Sequence, residues 1–357
     1  MFLFKFSKDL KERFFYCFIN FIVIWQITYS TFLNLNNTIL TDVKNYIGLA
    51  KNINYIASPH QSFRIGIPLI ANIINKLLNL IPNLNKMPIF NIRVDFSYHL
   101  SFYIFNLLIS TLIFFILYSI FKRENVHKYL AILLIYLFQL NTTYLNMVAF
   151  ANIDLIIIFF IALSIFIAEK NIINNKSLIT LYLISFISIF FKEYIFIILI
   201  PIILSLINKI YSRFSTKIIC ILSYSISLSF FTIVYRRIID FFTLPNSNLK
   251  YINYFKGDFS YLVNNFLNFK VNFDSIQNFI QYSPIIILVI FCSSLLNAKF
   301  RKYITSKSTL IFFPLCIFIV LTGIAGYPSR VFFPFYTFIL IVLPKSNIWI
   351  RFKNKFN

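Results

Sequence analysis

Charged residues are scarce in this sequence, and glycine is rarer still. Charged side chains make up only 12% of the 357 residues, whereas a soluble domain usually carries about 25%. Hydrophobic residues account for 59% of the chain, and there are only 5 glycines. This composition excludes a protein whose surface mainly contacts water, and it predicts an integral membrane protein.

The sequence motifs of soluble enzymes are also missing. The chain has no Walker loop, GxGxxG, HExxH or GxSxG. His60 and His99 are far apart and lack paired carboxylates, which is typical of polar interface residues rather than of metal ligands. The four cysteines lie in or beside apolar runs without a CxxC spacing: Cys17, Cys220, Cys292 and Cys316. The sequence therefore assigns no metal ligand and no redox role.

What the sequence has instead is a series of apolar runs of about 15 to 22 residues, each able to cross a hydrocarbon core about 30 Å thick as a helix. They predict an all-α bundle of about ten transmembrane helices, forming one membrane domain over residues 1–357. No small-residue cleavage site follows the basic N-terminus, so the first helix is expected to remain uncleaved. The predicted spans are 14–33, 98–121, 129–147, 149–168, 177–191, 194–208, 218–238, 283–298, 308–326 and 330–344.

The net charge of +22 comes from basic residues in short clusters between these runs. When the loops alternate across the membrane, most of the 33 Lys and Arg fall on one side, which the positive-inside rule assigns to the cytoplasm. The pattern predicts cytoplasmic termini in the cell inner (plasma) membrane, and no nucleic-acid partner. The alternation also requires two short helices over 177–208, meeting at Lys192-Glu193, rather than one long helix.

Two long loops are predicted on the outer side, at about 34–97 and 241–282. Within the first loop, the stretch from Ile67 to Ile81 has the period of an amphipathic helix. Its apolar face carries Ile70, Ile73, Ile74, Leu77, Leu78 and Ile81, and its polar face carries Asn72, Asn75, Lys76 and Asn79. This pattern predicts a helix lying in the outer membrane interface.

Charged residues near the outer ends of the spans are the candidates for chemistry. Asp42, after the first span, is either a general base or an ordinary solvated aspartate. Asp154, within the fourth span, either serves a polar site or joins helices. Lys192 either neutralises Glu193 or binds an anionic phosphate, and Arg330 either binds phosphate or snorkels at the interface.

This arrangement resembles the GT-C superfamily of membrane glycosyltransferases, which use polyprenyl-phosphate-linked sugars. The resemblance covers about residues 10–345, and Val43 stands where family members often have a second acid. The residues that carry it are Asp42 with Tyr46 and Ala50, Arg64 with Pro68, Asn152-Ile153-Asp154, Lys192-Glu193, and Tyr327-Pro328-Ser329-Arg330.

The resemblance implies transfer of a hexosyl or pentosyl group from a polyprenyl-phosphate carrier to an acceptor on the outer face. It implies that Asp42 is the base. The substrate-binding residues that it implies are Tyr46, Arg64, Asp154, Lys192, Glu193, Tyr327 and Arg330. The bilayer and the lipid-linked donor are the implied partners, while the acceptor, any divalent metal and the oligomeric state stay open.

Two other classes of membrane protein compete with this interpretation. One is a transporter or flippase, although such proteins tend to show internal repeats and Gly/Pro-interrupted helices at matching positions, and a chain with 5 Gly and no detectable repeat offers little of that. The other is a polysaccharide polymerase or ligase of the cell envelope, which the outer arginines Arg64, Arg93, Arg236 and Arg237 would suit.

Overall fold

The computed structural model describes residues 8–33, 41–53, 55, 57, 59–81, 95–151, 153–168, 174–192, 194–243, 314 and 333–342. Every regular element in this part of the chain is an α-helix, which confirms the all-α class. The helices are α1 (Lys8–Leu33), α2 (Thr41–Lys51), α3 (Pro59–Ser62), α4 (Gly66–Asn79), α5 (Phe96–Arg123), α6 (Lys128–Gln139), α7 (Thr142–Ala149), α8 (Leu155–Ala168), α9 (Asn175–Ile189), α10 (Ile195–Ile210), α11 (Phe214–Thr243) and α12 (Phe335–Val342).

Three helical stretches, Asp9–Leu33, Phe96–Arg123 and Phe214–Ile239, are long and apolar enough to cross a membrane. The bent pair α6 and α7 adds a fourth if it counts as one broken span, whereas α8, α9 and α10 are apolar but shorter. These lengths indicate a membrane protein with three or four spanning helices among the described residues. The ten spans stay a prediction: 283–298 lies outside the described residues, and of 308–326 only residue 314 is described.

Helix α5 is the centre of the bundle. Within an apolar stretch of 18 residues in α5, 72% is buried, compared with 28% in α1 and 22% in α11. It packs against α1, α4 and α8, and also contacts α6 and α7. The outer helices α1 and α11 instead expose large apolar side chains such as Phe18 and Phe230, a surface that suits lipid better than water.

Basic side chains collect at one end of the bundle. The Lys122 ammonium lies 2.7 Å from the Asp9 carboxylate, which joins the end of α5 to the start of α1. Arg123 donates to the Phe166 carbonyl at 2.8 Å, and Lys209 donates to the Ala168 carbonyl at 3.3 Å. Cations therefore satisfy carbonyls in the last turn of α8, and the ends of α5, α8 and α10 lie together.

The predicted hairpin is present, with α9 and α10 packed against each other on either side of residues 190–194. The predicted amphipathic helix is α4, shifted by one or two residues from the expected range. Its apolar face is exposed, with Ile73 and Leu77 each 58% accessible, while Ala71 and Asn75 pack on the bundle. The sequence did not predict α2 or α3, which have no long apolar run.

The prediction of one continuous helix over 129–147 is wrong. The chain breaks between α6 and α7, and the two axes differ by 71°. Asn141 causes the break because its backbone is extended and its side-chain oxygen accepts the Thr143 N–H at 2.9 Å, forming an N-cap for α7. Likewise, the predicted span 149–168 is not one continuous helix, because Ala149 ends α7 and α8 starts only at Leu155.

Buried polar side chains surround the α6–α7 break. The Gln139 amide nitrogen donates to the Ser110 carbonyl and to the Tyr144 hydroxyl, each at 3.1 Å. The Gln139 amide oxygen accepts from Asn20 at 2.6 Å, and the Tyr144 hydroxyl lies 3.0 Å from that of Ser110. Lipid supplies no hydrogen bonds, and polar side chains of α1, α5, α6 and α7 bond to one another beside the break.

Asn106 of α5 secures the far end of α7, and its loss is predicted to be costly. Its side-chain nitrogen lies 2.8 Å from the Phe150 carbonyl and 3.2 Å from that of Met147. Asn106→Leu leaves these buried acceptors without a donor, so the free energy of unfolding should fall by about 1–3 kcal/mol. Denaturant unfolding in detergent measures it. Thr111→Val is the control, because that hydroxyl bonds only within α5, and an equal loss there would contradict the prediction.

Candidate functional site

A buried ion pair lies at the end of the bundle opposite the basic cluster. The Lys192 ammonium contacts the Asp154 carboxylate directly, and the two residues are only 6% and 3% exposed. The Tyr194 ring centroid lies 5.0 Å from the ammonium. The sequence singles out both charged residues but does not predict that they pair with each other.

Each member of the pair lies beside a helix end. Asp154 directly precedes the first residue of α8, where its carbonyl accepts the Ile157 N–H at 3.1 Å. Lys192 follows the last turn of α9, and its N–H donates to the Ser188 carbonyl at 2.9 Å. The positive end of α8 lies beside Asp154, which favours its carboxylate. Lys192 lies between the negative end of α9 and the positive end of α10, where its carbonyl accepts the Ile195 N–H at 3.0 Å, so its counter-charge is Asp154 itself.

Tyr46 and Arg64 complete a polar cluster, by which we mean Tyr46, Arg64, Asp154 and Lys192. Arg64 donates to the Tyr46 hydroxyl at 3.2 Å, and Tyr46 is 1% exposed. Both residues are close enough to the ion pair to interact with it electrostatically. Burial raises the pKa of the Tyr46 phenol, although Arg64 and Lys192 oppose the rise. The phenol therefore stays protonated at neutral pH, with a hydrogen to donate.

The turn that carries Arg64 packs tightly on the hairpin turn that carries Lys192. The Gly66 N–H donates to the Phe190 carbonyl at 3.0 Å. A Cβ atom at Gly66 would lie 3.0 Å from that carbonyl oxygen and 3.0 Å from the Phe191 ring, so only glycine allows this approach without displacement. The start of α4 is thereby held beside the ion pair.

Four of the predicted site residues thus meet, although they come from four separate stretches of the chain. Asp42 is the second residue of α2, one turn before Tyr46, and its side chain lies outside the described part. Three further predicted residues lie wholly outside it: Glu193, Tyr327 and Arg330.

Sequence reasoning missed the aromatic side chains that border the polar cluster, namely Phe63, Tyr194 and Tyr235. With 47 Phe and 22 Tyr in the chain, no single aromatic residue stands out by composition. The only usable signal is position, since Phe63 and Tyr194 are each within two residues of a predicted cation.

Metal ligands do not form a group in the described ranges, where no three His, Cys, Asp or Glu side chains come together. Comparison of the chain with protein-family models, curated proteins and solved structures gives no match. Function must therefore be inferred from the polar cluster and its surroundings.

The ion pair predicts a strongly non-additive pattern of stabilities. Lys192→Met or Asp154→Leu alone leaves one charge buried without its main counterion, and each should lower the free energy of unfolding by about 3–5 kcal/mol. The double variant should lose less than either single variant, because no charge is left stranded. Denaturant titration of all four proteins in detergent measures this coupling.

The matched control is the exposed pair between Asp9 and Lys122 at the other end of the bundle. Lys122→Met, Asp9→Leu and their combination should give no resolvable coupling, because solvent screens exposed charges. Additive losses at Asp154 and Lys192 would mean that the pair does not hold the hairpin turn to α8.

Proposed function

We propose that the protein is a membrane glycosyltransferase that takes a sugar from a polyprenyl-phosphate carrier and transfers it to an acceptor on the outer face of the membrane. The observation that carries this proposal is the polar cluster. Buried charges inside an apolar helical bundle cost free energy and are therefore a functional hypothesis by default. Here four residues that the sequence singles out separately lie together.

The chemistry of the cluster supports an anionic ligand. Arg64 and Lys192 are two cations beside one carboxylate, Asp154, in the described part of the site. Guanidinium and ammonium groups both bind phosphate oxygens. Helix α4 begins at this cluster and exposes Ile73 and Leu77, so a membrane-embedded isoprenoid tail would have an apolar surface within reach.

The proposed orientation follows from the charge at the two ends of the bundle. The end that carries Lys122, Arg123 and Lys209 would face the cytoplasm of a cell whose inner (plasma) membrane holds the protein. The polar cluster would then lie on the side of the outer leaflet, and α4 would lie in the outer interface. A lipid-linked sugar on that leaflet would reach the site without crossing the bilayer.

The proposed reaction is an inverting displacement at the anomeric carbon. Asp42 takes the proton of the acceptor hydroxyl, and the acceptor oxygen bonds to the anomeric carbon as the bond to the phosphate oxygen breaks. The leaving polyprenyl phosphate keeps that electron pair, and Lys192 and Arg64 stabilise its charge. By resemblance, Arg330 would assist, and Glu193 and Tyr327 would contact the substrate.

A transporter or flippase of lipid-linked substrates is the second candidate, and the break between α6 and α7 favours it. Broken helices that meet inside the membrane are frequent in secondary transporters, and this break is lined by the buried side chains of Gln139 and Tyr144. A transporter would bind the same phosphate at the polar cluster. Substrate movement without cleavage of the sugar–phosphate bond would distinguish it.

Binding of a polyprenyl phosphate in nanodiscs tests the shared chemistry. Lys192→Gln and Arg64→Gln should each weaken binding by about tenfold or more, since each removes a charge-assisted contact. Lys122→Gln, at the opposite end of the bundle, is the matched control and should bind normally. Native mass spectrometry measures the bound fraction at several lipid concentrations.

Two further ligands identify what the cluster recognises. The matching polyprenol, which has no phosphate, should bind far more weakly, and inorganic phosphate alone should not compete at millimolar concentration. Equal binding of polyprenol and polyprenyl phosphate, or equal losses in Lys122→Gln, would rule out phosphate recognition at the polar cluster.

Asp42→Asn tests the catalytic step separately from binding. In proteoliposomes with polyprenyl-phosphate hexoses and pentoses, this variant should lose sugar transfer, because an amide cannot take the acceptor proton. It should still bind polyprenyl phosphate as the unaltered protein does. Undiminished transfer would remove Asp42 from the mechanism, whereas loss of lipid binding would assign it to the binding site instead. The neighbouring Lys44→Gln, an exposed position of α2, is the control.

A further inference from the structure

One side chain of α11 contacts both of the turns that carry the cations of the polar cluster. The Tyr235 hydroxyl donates to the carbonyl of Phe63, the residue before Arg64, at 2.7 Å. The Tyr235 ring also packs edge to face on the ring of Phe190, with centroids 5.0 Å apart. Phe190 is two residues before Lys192. Tyr235 is 6% exposed and Phe63 is fully buried, so this bridge lies inside the protein.

The hydrogen bond to Phe63 orients Arg64 through the peptide group that the two residues share. The oxygen of that peptide accepts from Tyr235, and its N–H, which belongs to Arg64, donates to the Gln61 carbonyl at 3.0 Å. The Arg236 guanidinium also lies 5.5 Å from the Phe63 ring centroid. The peptide plane from which the Arg64 side chain departs is therefore bonded on both sides.

We propose that Tyr235 is a positioning residue for ligand binding. It holds the Phe63–Arg64 peptide so that the Arg64 guanidinium keeps its hydrogen bond to the Tyr46 hydroxyl, beside Lys192. This inference rests on the proposed function, because it assigns the ligand contact to Arg64. Tyr235 acts through Phe63 and is not itself in contact with the ligand. Its role differs from simple packing of α11, since the hydroxyl, rather than the ring, sets the direction of Arg64.

Tyr235→Phe removes the hydroxyl and keeps the ring, and Tyr224→Phe is its matched control. Tyr224 is a buried tyrosine of the same helix whose hydroxyl also donates to a backbone carbonyl, that of Phe196, at 2.9 Å. Both variants lose a hydrogen bond to a backbone carbonyl, and Tyr224→Phe also loses the 2.9 Å contact with the Ser185 hydroxyl. Only Tyr235→Phe should affect the polar cluster.

Two readouts separate positioning from function. A 3-fluorotyrosine introduced at Tyr46 reports its contact with Arg64 by fluorine NMR, without any ligand. Its resonance should move in Tyr235→Phe, in the same direction as in Arg64→Gln, and should stay in place in Tyr224→Phe. Binding of polyprenyl phosphate in nanodiscs should weaken about three- to tenfold in Tyr235→Phe, the effect of one buried hydrogen bond, and should not change in Tyr224→Phe.

The combined variant Arg64→Gln with Tyr235→Phe should bind no more weakly than Arg64→Gln alone, because Tyr235 acts through Arg64. Additive losses, or equal effects of Tyr235→Phe and Tyr224→Phe, would overturn the positioning role. A different result would overturn the proposed function instead. If the Tyr46 resonance shifts in Tyr235→Phe but Arg64→Gln binds polyprenyl phosphate normally, Tyr235 positions Arg64 and Arg64 does not bind the phosphate.

Discussion

The ion pair between Asp154 and Lys192 joins the start of α8 to the turn between α9 and α10 inside an apolar bundle. Removing either charge from water costs several kcal/mol, and the contact compensates only while its geometry holds. The two helix ends must therefore stay together. The turn before α4 packs on the same hairpin through Gly66, so the position of Arg64 depends on this pair as well.

A second constraint, the lack of hydrogen-bond partners in lipid, applies at the break between α6 and α7. A bilayer supplies no hydrogen bonds, so an interrupted helix is stable only where protein groups replace the missing ones. Asn141 accepts the Thr143 N–H at the start of α7, and Asn106 donates to the Phe150 carbonyl at its end. The chain thus departs from helix where buried polar side chains meet, and α8 begins at Leu155, directly after Asp154 of the polar cluster.

Hydropathy and charge alternation were sufficient to predict α1, α5, α4 and the α9–α10 hairpin, because each depends on local composition. They failed at 129–147, since Asn141 barely lowers the hydropathy of an apolar run although it caps a new helix. Charge within apolar sequence identified Asp154 and Lys192, but their contact joins residues 38 apart and depends on packing. Tyr235, 172 residues from its partner Phe63, gave no local signal.

The pairing of Lys192 with an internal carboxylate also bears on which ligands the site can take. In the proposed function, an incoming phosphate would have to share the Lys192 ammonium with the Asp154 carboxylate or displace that carboxylate. A neutral lipid carries no negative charge with which to do either. A phosphate supplies several acceptor oxygens, enough to contact Lys192 and Arg64 together. Selectivity for a phosphorylated lipid would then arise from competition within the polar cluster rather than from the shape of an open pocket.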